Sequence, residues 1–229
     1  MVTGAPHDVT VVIPAKNEAA TIRSVVEGCR IHCAAVLVVD GHSTDGTRQE
    51  AEAAGARVVL DGGRGKGDAI RAAIPEITTA YVVFIDADGS HDPADIPRLV
   101  EPLASGQADH VSGSRLIGGS SELHGGFDEF WRLTGSSFIT AVINWRFSVR
   151  ISDSQNGFRA LRTDVLRRLD LTENLTTIEQ EMVIKTIKKG FRLSEVPAHE
   201  HARRYGVSHI RLSRVAFRYV WVLLREILF

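Results

Sequence analysis

The chain has 229 residues, 44% of them hydrophobic and 24% charged, with a formal net charge of −1. That length fits one large globular domain with a sizeable core, and a balanced charge without a basic tract excludes a nucleic-acid-binding surface. The two cysteines, Cys29 and Cys33, have no His or Cys partners at metal spacing and read as free thiols of a reducing compartment. Residues 1–8 lack the basic and apolar regions of a signal peptide. The apolar run 219–224 is too short to span a bilayer, so a cytoplasmic protein is expected.

In chain order, residues 9–13 are a short β-branched run ended by Pro14. Residues 17–30 read as a helix with Ile22, Val25, Val26 and Cys29 on one face. Residues 36–39 form a second apolar strand, ending at Asp40. A helix over 44–54 is stopped by Gly55, and 57–60 is a third strand. A third helix, 68–77, is interrupted at Pro75, and 81–85 is the fourth strand. Apolar strands alternating with helices argue for an α/β fold, a parallel sheet covered on both faces and joined by right-handed crossovers. From about residue 108 the pattern changes. A short strand at 111–115 leads into a Gly/Ser-rich loop, 118–126, and then a long helix, 127–147. The loop from 153 enters a short strand by 160, followed by helices at 164–169 and 177–189 and a strand at 191–196. No repeat or linker divides the chain, so residues 1–107 and 108–229 read as two halves of a single domain.

In such sheets ligands bind beyond the carboxyl ends of the strands. That rule gathers 14–18, Asp40 with 41–43, and Asp86-Ala87-Asp88 on one rim. Two carboxylates at one strand end repel, and a divalent cation is the usual compensation. Hard oxygen ligands suit Mg²⁺ or Mn²⁺ holding a diphosphate. A turn uses the same residues, with Asp86 as its cap and Asp88-Gly89 as its corner. Asp40 can accept from a ribose or a base N–H, or cap the next helix. Lys66, in the glycine-rich loop 62–67, suits either a phosphate cradle or a surface turn. Arg115, with Arg132 and Ser136 four apart on one helix face, can hold a phosphate or be ordinary surface groups. Asp153 and Glu181 are each a general base or a structural acceptor. His199, His201 and His209 lack the spacing of a metal set. In the last helix Arg211, Arg214, Arg218 and Arg225 form a stripe opposite Leu212, Ala216, Val220, Leu223 and Ile227. Such a helix lies on an anionic membrane surface, or packs on its own domain or a twin subunit.

Together these segments resemble a family 2 glycosyltransferase of the GT-A fold, in the branch of polyprenyl-phosphate (dolichyl-phosphate) mannosyl- and glucosyltransferases. The resemblance covers nearly the whole chain. It rests on the motifs at 11–18, 38–47, 65–67, 86–91 and 112–115, on Arg132 with Ser136, and on 153–159, Glu181 and 204–208. Three positions depart from the family pattern: Gly41 replaces a second aspartate, Ser90 a glutamine common in dolichyl enzymes, and His209 a lysine. The resemblance implies a Rossmann-like, mostly parallel sheet flanked by helices, with a C-terminal amphipathic helix. It implies inverting, Mg²⁺- or Mn²⁺-dependent transfer of a sugar, mannose favoured, from a GDP- or UDP-sugar to a phosphate-bearing acceptor such as a polyprenyl phosphate. Pro14, Ala15, Asn17, Glu18, Asp40, Lys66, Asp86 and Ala87 would then contact the nucleotide sugar, and Asp86 and Asp88 the metal. Arg115, Arg132 and Ser136 would hold the acceptor phosphate, and Asp88, Asp153 and Arg115 would be catalytic. Gln155, Glu181, Arg204 and Ser208 complete the candidate set. The alternative is a soluble glycosyltransferase of natural-product or glycan synthesis, using a UDP-sugar and a hydroxyl or nucleotide-linked acceptor. Asp153 would then be its base. Peripheral membrane contact and a homo-oligomer are open in both readings.

Overall fold

The computed structural model describes the backbone of residues 8–121, 127–201 and 212–228, and the side chains of 8–121, 134–201 and 217–227. Seven strands form one sheet: β1 (Val9–Ala15), β2 (Ala35–Asp40), β3 (Arg57–Leu60), β4 (Tyr81–Phe84), β5 (His110–Ser114), β6 (Arg159–Arg162) and β7 (Leu193–Pro197). Their order is β3-β2-β1-β4-β6-β5-β7. Within this sheet only β6 is reversed, running antiparallel to β4 and β5. The carboxyl ends of the other six strands therefore share one rim, and the segment leading into β6 arrives at that same rim.

Alternation along the strands feeds two cores. Val11 and Ile13 of β1 join α1 (Ile22–Arg30), α2 (Thr47–Ala53) and α4 (Ile96–Ala104) on one face. Val12, Leu37 and Val39 join α3 (Lys66–Ala73), α7 (Thr163–Arg168) and α8 (Ile178–Lys188) on the other. Each fully buried Val, Ile or Leu contributes about 1.5–3 kcal/mol, which is why these runs are apolar without a polar alternate. A third cluster joins α6 (Phe127–Phe147), α8 and α9 (Leu212–Leu228) around Ile143, Ile184 and Leu223. The short α5 (Arg115–Gly118) follows β5 directly, where a loop beginning at 118 was expected.

Two further differences from the sequence expectations have physical causes. Pro14 does not end β1, which continues to Ala15 beside β2. The Gly41 N–H donates to Ala15 O at 2.8 Å and the Ile85 N–H to Val12 O at 3.2 Å, so odd residues face β2 and even ones β4. Pro14 therefore lacks its donor on the β4 side, where the ladder has already stopped at Val12. The helix α4 was unforeseen, because Pro97 and Pro102 lie within nine residues. Pro97 falls in the first turn, where no N–H is needed, and Ile96, Leu99, Val100 and Leu103 are all buried.

Candidate active site

On the β1–β2 part of the rim, backbone groups are held by short polar side chains. Asn17 has φ 57°, its N–H donates to Ser43 Oγ at 2.9 Å, and its Oδ1 accepts from the Thr44 N–H at 2.9 Å. The N–H of Glu18 donates to Thr47 Oγ1 at 2.8 Å and that of Ala19 to Asp45 Oδ2 at 3.1 Å. These bonds lock the turn after Pro14 and Ala15 against the turn after β2, so α1 starts at Ile22 rather than near 17. Asp40 is fully buried. It accepts from the Ser43 N–H at 3.1 Å and from Arg48 at 3.0 Å. Burial works to raise its pKa, yet the bonds from Ser43 and Arg48 win and hold it below the usual carboxylate range. Asp40 thus fixes the 41–43 turn.

At the end of β4, Ala87 and Asp88 are buried and Gly89 has φ 74°. Asp88 Oδ1 accepts from the Ser90 N–H at 3.0 Å, so the turn and the carboxylate pair coexist. Lys66, the first residue of α3, lies 2.5 Å from Asp86 Oδ1 and 2.7 Å from Glu179 Oε1. Burial opposes its charge, but the two carboxylates override that and hold its pKa above the usual lysine value. Glu179 is a site residue that the sequence reading missed. It sits in the first turn of α8 and is 4% exposed. Glu181, singled out instead, points away. It accepts from the backbone N–H groups of Thr172 and Glu173 and pairs with Lys185 at 2.8 Å, a structural role.

The glycines around Lys66 serve packing of chain on chain. A Cβ on Gly67 would come within 2.4 Å of Glu173 O, and one on Gly65 within 2.9 Å of Asn174 O. Residues 173–175 therefore close over Gly65 and Gly67, while the loop's charged groups are Arg64, paired with Asp68, and Lys66. Gly157, just before β6, roofs the pair: a Cβ there would lie 2.7 Å from both Asp86 Oδ2 and Lys66 Nζ.

Across the rim, Arg115 and Asp153 form a buried two-pronged pair. Arg115 Nε donates to Oδ2 at 2.6 Å and Nη2 to Oδ1 at 3.0 Å, and Nη1 reaches Glu200 at 3.4 Å. The Gln155 N–H also donates to Asp153 Oδ1, at 3.1 Å. Burial again works to raise the Asp153 carboxyl, and Arg115 more than offsets it, so its pKa lies below the usual range. A carboxylate held ionised with both oxygens bonded is a poor proton acceptor, and its guanidinium partner is already neutralised. Neither residue is the independent group the sequence suggested. Glu195 accepts from the N–H groups of Ser152 and Asp153 at 2.7 and 2.8 Å and fixes their loop.

Ser136 lies half-buried in α6, and Thr140 one turn on bonds Ser154 Oγ at 2.8 Å, bringing that helix face beside Asp153. Arg132 is on the same helix with its side chain outside the described set, and Arg204, Ser208 and His209 lie outside the described residues. The segment after β7 reaches the β4 turn, because the His201 N–H donates to Ser90 O at 2.7 Å. His91 is buried against Phe158, with ring centroids 5.1 Å apart, and burial lowers its pKa. Among the described residues no three His, Cys, Asp or Glu side chains gather as a metal cage.

Of the arginine stripe of α9, Arg211 and the side chain of Arg214 lie outside the described residues. Arg218 and Arg225 turn inward to Glu173, at 3.1 and 2.9 Å. The outward face is apolar instead: Phe217, Val220, Trp221 and Leu224 are exposed, as are Phe138 and Trp145 of α6. Among the described residues no helix is long and apolar enough to cross a membrane.

A mostly parallel α/β sheet with paired carboxylates at the end of a central strand defines the class, that of GT-A glycosyltransferases. The chain belongs to glycosyl transferase family 2, whose sequence pattern matches residues 10–170. It is 34% identical over 203 residues to the glycosyltransferase AglJ of Haloferax volcanii, covering 88% of this chain but only 65% of AglJ. It is 30% identical over 195 residues to a dolichyl-phosphate hexose transferase of the same organism, covering 83% and 81% of the two chains. Its fold superposes, with a TM-score of 0.77 and 24% identity, on glucosyl-3-phosphoglycerate synthase from Mycobacterium tuberculosis. That match covers 96% of this chain and 78% of the other, which was crystallised with Mn²⁺, UDP and phosphoglyceric acid.

Proposed function

We propose that the protein transfers a hexose, with inversion, from a nucleoside diphosphate sugar to a phosphate-bearing acceptor, with a polyprenyl phosphate as the favoured acceptor and mannose as the favoured sugar. The observation that carries this reading is the Asp86–Asp88 pair at the carboxyl end of β4, with Lys66 against Asp86. The donor set fits Mg²⁺ or Mn²⁺: two carboxylates and no thiolate, with room in the ligand count for phosphate oxygens and water. Lys66 already answers the demand for positive charge at that point. Asp88 and Asp86 would hold the metal, which when bound would neutralise charge developing on the leaving diphosphate.

The chain's own groups divide the remaining work. The backbone turn at 14–18 and its partner at 41–47 would seat the nucleoside, and Lys66 would add a point charge to the diphosphate. Ser136 and Arg132 on α6 would orient the acceptor phosphate, with Arg115 confined to the edge that Asp153 leaves. A phosphate monoester is an anionic nucleophile and needs no strong base. Asp153, bonded through both oxygens, is ill suited to take a proton, and this favours phosphate over a hydroxyl acceptor. The exposed apolar faces of α9 and α6, each carrying a Trp, suit contact with the lipid surface from which such an acceptor is drawn.

A small phosphorylated acceptor is the second reading, favoured by the phosphoglyceric acid bound to the M. tuberculosis enzyme. The test is a donor screen with GDP-mannose, UDP-glucose and UDP-N-acetylglucosamine, each with Mn²⁺ or Mg²⁺. Polyprenyl phosphate, phosphoglycerate or no acceptor is supplied in separate arms. Metal-dependent appearance of sugar in the lipid fraction is expected. Transfer to phosphoglycerate alone selects the second reading, and no transfer from any donor in any arm overturns both.

A further inference from the structure

Lys66 faces two carboxylates that come from different parts of the chain. Asp86 Oδ1, after β4, is 2.5 Å from its ammonium, and Glu179 Oε1, in α8, is 2.7 Å away. Two carboxylates share this ammonium, and the buried Arg159 guanidinium also interacts electrostatically with both of them. Glu179 is buried, and its Oε2 has no hydrogen-bond partner among the described residues. A buried carboxylate with one oxygen unbonded is held at a cost in desolvation. Its position is nonetheless fixed. Arg159, fully buried, donates from Nη1 to the Glu179 carbonyl at 2.9 Å and from Nε to the Asn156 carbonyl at 3.0 Å, so it anchors the backbone rather than the carboxylate. Gly157 lies over Lys66 and Asp86, where a Cβ would come within 2.7 Å of both.

Asp86 belongs to the pair proposed above to hold a divalent cation, and it cannot give its full charge to two cations at once. Lys66 is therefore a competitor as well as a helper. We infer that Glu179 is a positioning residue that tethers Lys66 and sets the contest between its ammonium and the divalent cation for Asp86. With Glu179 present, the ammonium has a second anion to hold it when the cation arrives, and it stays beside the diphosphate. Without Glu179 its one close carboxylate among the described residues is Asp86, and the cation meets a stronger competitor. This inference rests on the metal-binding reading of Asp86 and Asp88.

The test needs no turnover. Mn²⁺ is titrated into the whole protein, followed by the electron paramagnetic resonance signal of free Mn²⁺ with UDP or GDP present, and folding is checked by circular dichroism. K66M is expected to bind Mn²⁺ about tenfold more tightly, because a charge a few ångströms away is removed. E179Q is expected to bind it about three- to tenfold more weakly. In K66M/E179Q the effect of E179Q is expected to vanish, since Glu179 acts through Lys66. Equal weakening by E179Q with and without Lys66 would mean that Glu179 acts on the ion directly, and overturns the inference. Unchanged Mn²⁺ affinity in both K66M and E179Q overturns it too. Should E179Q not fold, K66M alone decides, since unchanged affinity there removes the competition. Wild-type and D88N proteins that bind Mn²⁺ alike would instead remove the metal reading itself, a distinguishable outcome.

Discussion

The two sides of the rim hold their polar groups by different means. On the β1–β4 side, groups sit where strands end, and bonds to the short side chains of Ser43, Thr47 and Asp45 keep them there, with Arg48 paired to the buried Asp40. On the β5–β7 side, a largely buried ion pair joins distant segments, Arg115 to Asp153, 38 residues apart. Lys66 bridges the two systems through Asp86 and Glu179. A neutral bond contributes about 0.5–1.5 kcal/mol and is replaceable. Removing one partner of a buried ion pair leaves an uncompensated charge and costs more. The turn held by Ser43 and Thr47 should therefore tolerate substitution, and the Arg115–Asp153 pair should be brittle.

The largest expected effect tests that brittleness. Asp153→Asn should destabilise the protein by about 3–5 kcal/mol, read from urea unfolding. A catalytic base would instead give lost turnover at unchanged stability, so the two roles separate in one variant. Next, Gly67→Ala drives a methyl to within 2.4 Å of a backbone oxygen, and overpacking of this kind costs about 1–3 kcal/mol. A shift of that size in the urea midpoint would support the contact with 173–175; an open phosphate cradle would lose nucleotide affinity without losing stability.

Acid titration sharpens the contrast further. The Asp153 pKa is lowered in the folded state, so on acidification the unfolded chain binds the proton first. Its stabilising contribution is complete above the unfolded value near 4 and is lost as pH falls through the lower folded value. The Tm gap between wild type and Asp153→Asn should hold from about pH 7 to 5 and narrow below about pH 4. A gap that widened on acidification would reverse the sign and discount the pair. The smallest effect is a control on helix propensity, read from stability alone. Gly135 in α6 has nothing among the described residues near its Cβ direction, so Gly135→Ala should stabilise by up to about 1 kcal/mol, seen as a small rise in Tm.

How much of this was legible in the sequence follows the same division. The sheet and the strand-end positions of Asp40 and Asp86 could be read, because apolar runs of strand length stop abruptly at polar residues. Asp40 was placed correctly, but its engagement with Arg48 depends on a side chain eight residues on, and nothing in the motif signals it. Gly65 and Gly67 resembled a phosphate loop because close approach requires the same missing Cβ whether a phosphate or a peptide approaches. Glu179 and Glu181 lie two apart on one helix, and only the packing of α8 tells which one faces Lys66. The arginines of α9 looked solvent-facing because Glu173 is 45 and 52 residues away from them. Long-range charge pairing leaves no periodic trace, and most of the acceptor side is built from it.

The central claim is that Asp86 and Asp88 form the diphosphate end of the site. Isothermal titration of UDP and of GDP into wild type and Asp88→Asn, with and without Mn²⁺, tests it most directly. The expected result is that Mn²⁺ tightens binding of at least one nucleotide by about tenfold or more in wild type and has no such effect in Asp88→Asn. Nucleotide binding that is indifferent to Mn²⁺ in wild type, or equally Mn²⁺-dependent in the variant, would contradict it.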